Sequence, residues 1–151
     1  MVLRTLSKAF GLAGLRAGYL VADPAVIDAL ASIRQIYSED VLAQAVAAAA
    51  VSRRRELVGV VADVVAERER LSAALSTIGG VEVWPSAANF LLVRLPGASR
   101  VRARLRDEYS ILVRDFSYAP GLADCLRLTV GTREENDRLL DALSILAREE
   151  A

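Results

Sequence analysis

The chain has 151 residues, of which 54% are hydrophobic, and this length allows one ordinary domain or slightly more. Its 19 basic and 19 acidic residues give zero formal net charge, which offers no support for binding to nucleic acid or to an anionic membrane surface. Because the chain has no histidine and one cysteine, it cannot build a Ser-His-Asp or Cys-His centre, and we expect no metal site of His or Cys ligands.

The apolar runs are too short to cross a bilayer, and the longest, at residues 41–51, is interrupted by Gln44. No signal-peptide pattern precedes the first motif. The single cysteine, Cys125, fits a reducing compartment and is expected to be a small buried residue. We therefore expect a cytoplasmic protein that does not bind membranes.

The sequence of the first half predicts elements that cannot form a hydrophobic core by themselves. The elements are an extended segment at 2–7, a strand at 15–22, and helices at 24–35 and 38–51. Asp23 and Pro24 form a helix start, with Asp as N-cap and Pro at the first helical position. One strand with a few helices cannot bury its apolar faces, so this half is expected to need more structure.

The second half predicts a complete small domain. The elements are a long amphipathic helix at 52–78, strands at 81–83, 89–95, 111–114 and 126–130, and helices at 99–109 and from 132 onward. Thr132 and Glu135 form a capping box at the start of the last helix. After the long helix, the order β-β-α-β-β-α predicts a sheet with two helices on one face.

Lys8 is the only lysine among the 19 basic residues. An ammonium group can lose its proton and attack a carbonyl, whereas a guanidinium stays charged. Thr5, Ser7 and Arg16, with the backbone N–H groups of a glycine-rich stretch, would suit a phosphate next to an aldehyde. Pyridoxal phosphate is a cofactor of that kind. On composition alone, Lys8 could equally be an ordinary surface residue.

Two arginines lie on predicted strands of the second half, Arg114 and Arg127. Arginine recognises carboxylate and phosphate groups through two parallel hydrogen bonds. Arg127 alternates with two leucines, so its side chain is expected on the opposite face of the strand. Either arginine could equally occupy a solvent-facing strand position.

The stretch Thr-Leu-Ser-Lys-Ala-Phe-Gly-Leu-Ala-Gly-Leu-Arg-Ala-Gly-Tyr at residues 5–19 resembles the lysine segment of fold-type-I, pyridoxal-phosphate-dependent aminotransferases. Within that superfamily the chain looks most like the histidinol-phosphate aminotransferase family. Residues 89–92, 111–116 and 125–132 resemble later motifs of that family. The likeness covers essentially the whole chain.

This resemblance implies an α/β fold and a division of the chain into two parts. Residues 1–50 would be the C-terminal tail of a large cofactor domain, in which the strand near 15–22 belongs to a seven-stranded sheet. Residues 51–151 would be a long connecting helix and a complete small α+β domain. The full-length family is expected to form homodimers. Where the family commonly has Pro-Tyr, this chain has Ile36-Tyr37, and no role is assigned to Tyr37.

The resemblance also implies roles for individual residues. Lys8 would bind the cofactor covalently and transfer a proton during the reaction. Ser7 and Arg16, with Thr5 as a weaker candidate, would hold the cofactor phosphate. No metal is implied.

On the substrate side, Arg127 would bind the anionic end and Arg114 would help to grip a phosphate. Asn89 would lie near the site, or it would tie two strands together. These roles imply amino transfer between histidinol phosphate, a phosphorylated amino alcohol, and 2-oxoglutarate, a 2-oxo acid, in histidine biosynthesis.

The family's chains are longer, and their cofactor contacts upstream of the lysine are not present here. We therefore expect a truncated or split coding region that is inactive alone. Two alternatives on the same fold stay open, an aromatic aminotransferase and a threonine-phosphate decarboxylase. A non-catalytic folded remnant or partner-binding module is the third.

Overall fold

The computed structural model describes residues 1–36 and 38–150, so Tyr37 lies outside the described residues. It divides into two compact units, Met1–Val61 and a second that begins at Ala62. Among the described residues, no helix is both long enough and apolar enough to cross a membrane.

The first unit contains an antiparallel strand pair and two helices. Strand β1 is Val2–Thr5, β2 is Gly18–Val21, helix α1 is Pro24–Ile33 and α2 is Val41–Ser52. The predicted cap of α1 is confirmed, because the Asp23 carboxylate accepts the Ala25 N–H at 2.9 Å. Asp40 caps α2 in the same way, accepting the Ala43 N–H at 2.8 Å.

Two predictions for this unit were wrong in their boundaries. The strand predicted from residue 15 begins only at Gly18, because Ala13–Leu15 form a 3-10 turn and Arg16 has a left-handed φ of 55°. The helix predicted over 52–78 is interrupted by a 3-10 turn at Arg54–Leu57 and resumes as α3, Val58–Leu75. The Arg53–Glu56 ion pair spans three residues, a spacing that suits 3-10 geometry.

The second unit has the predicted order β-β-α-β-β-α. Its elements are β3 Glu82–Val83, β4 Phe90–Arg94, α4 Ala98–Tyr109, β5 Arg114–Asp115, β6 Cys125–Thr129 and α5 Arg133–Glu150. The strands lie in the order β3-β4-β6-β5, and each neighbouring pair is antiparallel. The strand predicted at 111–114 starts late, because the Ile111 N–H bonds the Leu105 carbonyl and closes the end of α4.

One face of this sheet forms the hydrophobic core. Leu91 lies opposite Leu128 and Val93 opposite Leu126, and all four are buried. Helices α4 and α5 cover this face as predicted, and the end of α3 joins them through Leu71 and Leu75. The helical core residues of α4 and α5 are Ala98, Val101, Leu105, Leu139, Ala142, Leu143, Leu146 and Ala147.

The other face of the sheet carries polar and aromatic side chains, because strand residues alternate between faces. Cys125 lies on this face opposite Arg94, and it is fully buried, as predicted from its residue type. Arg94 extends across the neighbouring loop to the carbonyls of Ala123 and Gly121. Arg127 lies two residues beyond Cys125 on the same face.

Polar contacts connect α3 to the ends of strands β4 and β6. Asn136, 1% exposed, accepts the Gly131 N–H and donates to both the Gly131 carbonyl and Glu67. Arg68 donates to the Ala88 carbonyl before β4. The predicted capping box on α5 is confirmed, since each of Thr132 and Glu135 bonds the other's backbone N–H.

Candidate active site

The segment that joins β1 to β2, residues 6–17, carries the lysine and is called the lysine segment. It is closed at its base by the Leu6 N–H, which donates to the Ala17 carbonyl at 3.1 Å. The Leu12 N–H returns to the Leu6 carbonyl at 3.1 Å and folds the segment back on itself. Leu6 is 3% exposed and anchors the turn. The segment is therefore a defined turn between two paired strands.

Gly18 allows the two strands to approach at the end of the lysine segment. A Cβ atom at this position would lie 2.6 Å from the Arg4 carbonyl oxygen. That distance is shorter than any van der Waals contact, so a side chain would force the strands apart. Glycine at 18 is thus required by the pairing of Thr5 with Gly18.

The hydroxyl groups of Thr5 and Ser7 form one cluster next to Lys8. The Thr5 hydroxyl donates to the Ser7 hydroxyl at 2.8 Å and accepts the Ser7 N–H at 3.1 Å. Ser7 is half-buried, whereas Lys8 is exposed. The Lys8 side chain forms no ion pair with the residues that the structure describes, so its amine is open to a ligand.

Arg16 ends the turn in a left-handed conformation with φ of 55°. Its side chain is exposed and donates to the Ala13 carbonyl at 2.8 Å. The structure thus brings Thr5 and Ser7 into contact, while no hydrogen bond among the described residues joins Arg16 or Lys8 to them. All four predicted cofactor residues lie in or beside the lysine segment.

In the second unit, Arg114 of β5 lies directly opposite Arg127 of β6, and these two residues are called the arginine pair. Side chains at directly opposite positions share one face of the sheet, with Cβ atoms roughly 5 Å apart. Neither arginine forms an ion pair with any residue in 1–36 or 38–150. Two like charges at this position disfavour the sheet unless an anion lies between them.

Arg127 is held between two aromatic rings. Its guanidinium carbon lies 5.3 Å from the Phe90 ring centre and 5.7 Å from that of Phe116. Both distances are within the range of a cation–π interaction. The Arg127 Nε is buried and has no hydrogen-bond partner among the described residues. A buried donor without a partner costs about 1–3 kcal/mol, and such a cost at a charged group makes Arg127 a candidate for anion binding.

The acidic residue next to the arginine pair, Asp115, is hydrogen-bonded to two serines. Asp115 accepts the Ser99 hydroxyl at 2.7 Å and the Ser117 N–H at 2.8 Å. Burial raises the pKa of Asp115, but these hydrogen bonds outweigh it and hold the pKa below its usual value. The Asp115 carboxylate is therefore charged near neutral pH and bound by serines, which leaves the arginine pair for an external anion.

An open depression of about 220 Å³ lies over the arginine pair. The residues that line it are Leu112, Val113, Arg114, Arg127 and Thr129. Its two cationic side chains are set among apolar and hydroxyl groups, and this composition suits a small ligand with an anionic end.

Asn89 precedes β4 and is half-buried. Its carbonyl accepts the Val130 N–H at 3.0 Å and so extends the pairing of β4 with β6 by one residue. Its side-chain amide has no hydrogen-bond partner in the part of the chain that the structure describes. The backbone of Asn89 therefore ties two strands, and its amide is available to a ligand.

Sequence reasoning did not identify Phe90 and Phe116 as contacts of Arg127. A signal was present for one of them, because Phe116 follows Arg114 by two residues, the strand repeat that places both on one face. Phe90 could not be assigned, since its contact depends on the register between β4 and β6, in which Leu92 lies opposite Arg127.

Comparison with known proteins gives consistent matches. The family model described as aminotransferase class I and II matches residues 1–143. A histidinol-phosphate aminotransferase from Roseiflexus castenholzii is 48% identical, and the match covers 97% of this chain and 40% of that protein. The chain thus spans about 40% of the length of such curated relatives.

Two solved structures show the same fold. Histidinol-phosphate aminotransferase from Sinorhizobium meliloti, in complex with pyridoxal-5'-phosphate, matches with a TM-score of 0.82 and 31% identity over 99% of this chain and 41% of that one. L-threonine-O-3-phosphate decarboxylase from Porphyromonas gingivalis has a TM-score of 0.82 and 27% identity over 97% of this chain and 46% of that one.

The comparisons confirm two predictions from the sequence. The resemblance to histidinol-phosphate aminotransferases is confirmed by the curated relatives, which are 41–48% identical. The α/β fold predicted for part of a fold-type-I transferase is confirmed by the structural matches. The chain belongs to the aminotransferase class I and II family.

Proposed function

We propose that this chain supplies the lysine and the substrate arginines of a pyridoxal-phosphate-dependent aminotransferase that acts on histidinol phosphate and 2-oxoglutarate. The observation that carries the proposal is the arginine pair, two cationic side chains directly opposite each other without an acidic partner among the described residues. A phosphate monoester, with up to two negative charges and three acceptor oxygens, suits two arginines better than a single carboxylate does.

The lysine segment fits the cofactor in its donor chemistry. The Lys8 amine, which has no ion-pair partner among the described residues, belongs to the residue that follows Ser7, whose hydroxyl is hydrogen-bonded to that of Thr5. Thr5 and Ser7 would donate to the cofactor phosphate, and Arg16 would add charge. Pyridoxal 5'-phosphate, when bound, supplies the aldehyde and the electron-withdrawing ring that amino transfer needs.

Within this reaction the chain's own residues bind, orient and move protons. Lys8 would hold the cofactor through its ε-nitrogen and then carry a proton to and from the substrate carbon that bears the amino group. Arg127 would fix the anionic end of the substrate, with Arg114 adding a second contact to a phosphate. Asn89 would offer its side-chain amide to the substrate.

We propose that residues 1–50 are the tail of the large cofactor domain and that residues 51–151 are the connecting helix and the small domain. Because the chain spans about 40% of the length of its relatives, the 151 residues alone are expected to be inactive. The complete enzyme is expected to be a cytoplasmic homodimer.

A decarboxylase of threonine phosphate is the second candidate, since the P. gingivalis enzyme shares the fold and the arginine pair suits any phosphorylated substrate. An aromatic aminotransferase is disfavoured, because its substrates carry no phosphate for Arg114.

A chimera tests the proposal. This chain would replace the matched segment of the R. castenholzii relative, and the product would be assayed for amino transfer from histidinol phosphate to 2-oxoglutarate. Lys8→Arg is the matched control, because it keeps the charge and removes the nucleophile. We expect turnover that the control lacks. A folded chimera that releases CO₂ from threonine phosphate instead would establish the decarboxylase.

A further inference from the structure

We propose that Phe90 and Phe116 are positioning residues, which hold and dehydrate the Arg127 guanidinium so that it binds a phosphate monoester before any cofactor is present. The inference rests on the proposed function for its choice of ligand, and it adds a role for two residues that have no part in that proposal.

The two rings come from different strands and converge on one side chain. Phe90 begins β4, and Phe116 follows β5, so Arg127 of β6 lies between contributions from both neighbouring strands. The Phe116 N–H bonds the Cys125 carbonyl at 2.9 Å, which fixes the backbone of Phe116 against β6. The contact with Arg127 is therefore set by the sheet.

Tyr118 supports this arrangement from outside. Its ring stacks on Phe116 with centres 6.1 Å apart and an angle of 16° between the planes. Tyr118 is 75% exposed, whereas Phe116 is half-buried. Phe116 is thus held between an exposed ring and the guanidinium, and it shields that guanidinium from water.

Dehydration has a consequence for binding. A guanidinium covered by rings has little water to lose when an anion arrives, and its charge acts in a medium of lower dielectric constant. The Arg127 Nε is buried and has no partner among the described residues, so this edge of the guanidinium is shielded from water although the residue as a whole is half-buried. Arg114 is exposed by contrast, so it would add charge without the same shielding.

All of these residues lie in the second unit, from Phe90 to Thr129. None of the contacts named here for Arg127 involves a residue of the lysine segment. The anion site is therefore expected to bind phosphate in the 151-residue chain as it stands, without cofactor and without turnover.

The test measures binding of inorganic phosphate to the full chain by NMR, following the Arg127 Nε–H signal. A buried Nε–H exchanges slowly with water and is shifted by the rings on either side. We expect phosphate to move this signal in a saturable way. Phe90→Leu and Phe116→Leu are each expected to weaken phosphate binding about two- to fivefold, the effect of one cation–π contact, and to shift the unliganded Arg127 signal.

Two further variants separate positioning from general stability. Phe116→Tyr keeps the ring and should keep the affinity. Phe10→Leu changes the remaining phenylalanine, which belongs to the first unit and is not one of the two rings at Arg127, and should leave both the affinity and the Arg127 signal unchanged. Thermal melting of each variant checks that it is folded, and a leucine variant that unfolds leaves the other to decide.

The inference is overturned if every leucine variant that folds binds phosphate as tightly as the unchanged chain. It is also overturned if acetate binds as tightly as phosphate at equal ionic strength, because the site would then not distinguish a phosphate from a carboxylate. A chimera without aminotransferase activity, combined with the expected phosphate binding, would refute the proposed function and leave this role of Phe90 and Phe116 intact.

Discussion

Arg114 lies directly opposite Arg127 on adjacent antiparallel strands, so an anion that binds between them removes a repulsion as well as making contacts. Phosphate should therefore raise the melting temperature of the chain with a saturable dependence on its concentration. Arg114→Gln should leave the ligand-free protein as stable or up to about 0.5 kcal/mol more stable, a small gain because Arg114 is exposed. The same variant should reduce the stabilisation by phosphate.

The matched control for Arg114→Gln is Arg148→Gln. Arg148 is an exposed arginine of α5, so this change removes the same charge from another part of the second unit. Differential scanning fluorimetry at constant ionic strength measures both variants. Equal phosphate stabilisation in the two variants would mean that the arginine pair is not the anion site.

Lys8 should be the residue that reacts with the cofactor. After incubation with pyridoxal 5'-phosphate and reduction with borohydride, mass spectrometry should find the added mass on the peptide that contains Lys8. The chain has no other lysine, so the competing amine is the N-terminus. Lys8→Arg should lose the modification of this peptide. Labelling of the N-terminal amine alone would argue against a prepared site.

The close approach at Gly18 should make this position sensitive to a single methyl group. Gly18→Ala places a Cβ 2.6 Å from the Arg4 carbonyl and should destabilise the first unit by about 1–3 kcal/mol. Gly14→Ala is the control, since a Cβ there meets nothing within 4 Å. Hydrogen exchange at the Leu6 amide, which bonds the Ala17 carbonyl, should accelerate only in the first variant.

Asn136 should contribute strongly to stability, because its buried side chain makes three hydrogen bonds. Asn136→Ala removes three hydrogen bonds of a buried side chain and leaves the half-buried Gly131 backbone groups without their Asn136 partner. The expected loss is about 1–3 kcal/mol in the free energy of unfolding, measured by urea titration. Ser144→Ala on the same helix, whose hydroxyl bonds only the Asp141 carbonyl, should change stability much less.

Glu67 should make stability depend on pH in the acid range. Hydrogen bonds from Arg70 and then Asn136 lower the pKa of Glu67 below its ordinary value of 4.5. A lowered carboxyl pKa gives stability that is fully present above about pH 4.5 and is lost as the pH falls through the folded-state value. Glu67→Gln should therefore be less stable than the unchanged chain at pH 7. The difference in the free energy of unfolding between the two should decrease below pH 4.5.

The control for Glu67 is Glu69→Gln on the same helix. Glu69 also pairs with an arginine, Arg68, but 67% of its side chain is exposed, so water screens the pair. In urea titrations at pH 7, Glu69→Gln should lose less stability than Glu67→Gln. The prediction is contradicted if the difference in the free energy of unfolding between the unchanged chain and Glu67→Gln stays constant from pH 7 to pH 3.

Local signals in the sequence were enough for the helix starts. Asp23 and Thr132 cap their helices through groups only two or three residues away, so the pattern contains all of the interaction. The break at Arg54–Leu57 was not predicted, because residues 52–56 are all polar or charged and such residues suit the solvent face of a continuous helix as well as a 3-10 turn. The Arg53–Glu56 pair that accompanies the break also fits a helix, and the sequence therefore does not distinguish the two.

The candidate site was predicted in its residue types and not in its arrangement. Lys8 stood out as the single lysine, and Arg114 and Arg127 stood out as arginines on predicted strands. That these two arginines face each other depends on the register of β5 with β6, which is set by pairing across a turn and by the core on the far side. The ring contacts of Arg127 depend on the same register, so they too required the structure.

The rate at which the chain's one thiol reacts with a reagent can measure how often the second unit opens. Cys125 is fully buried in the middle of the sheet, and the first unit contains no cysteine. A thiol reagent can therefore label the protein only when β6 becomes accessible. The labelling rate then measures the opening of the second unit alone. Since Arg127 lies on the same strand, slower labelling in phosphate would show that an anion at the arginine pair keeps the sheet closed.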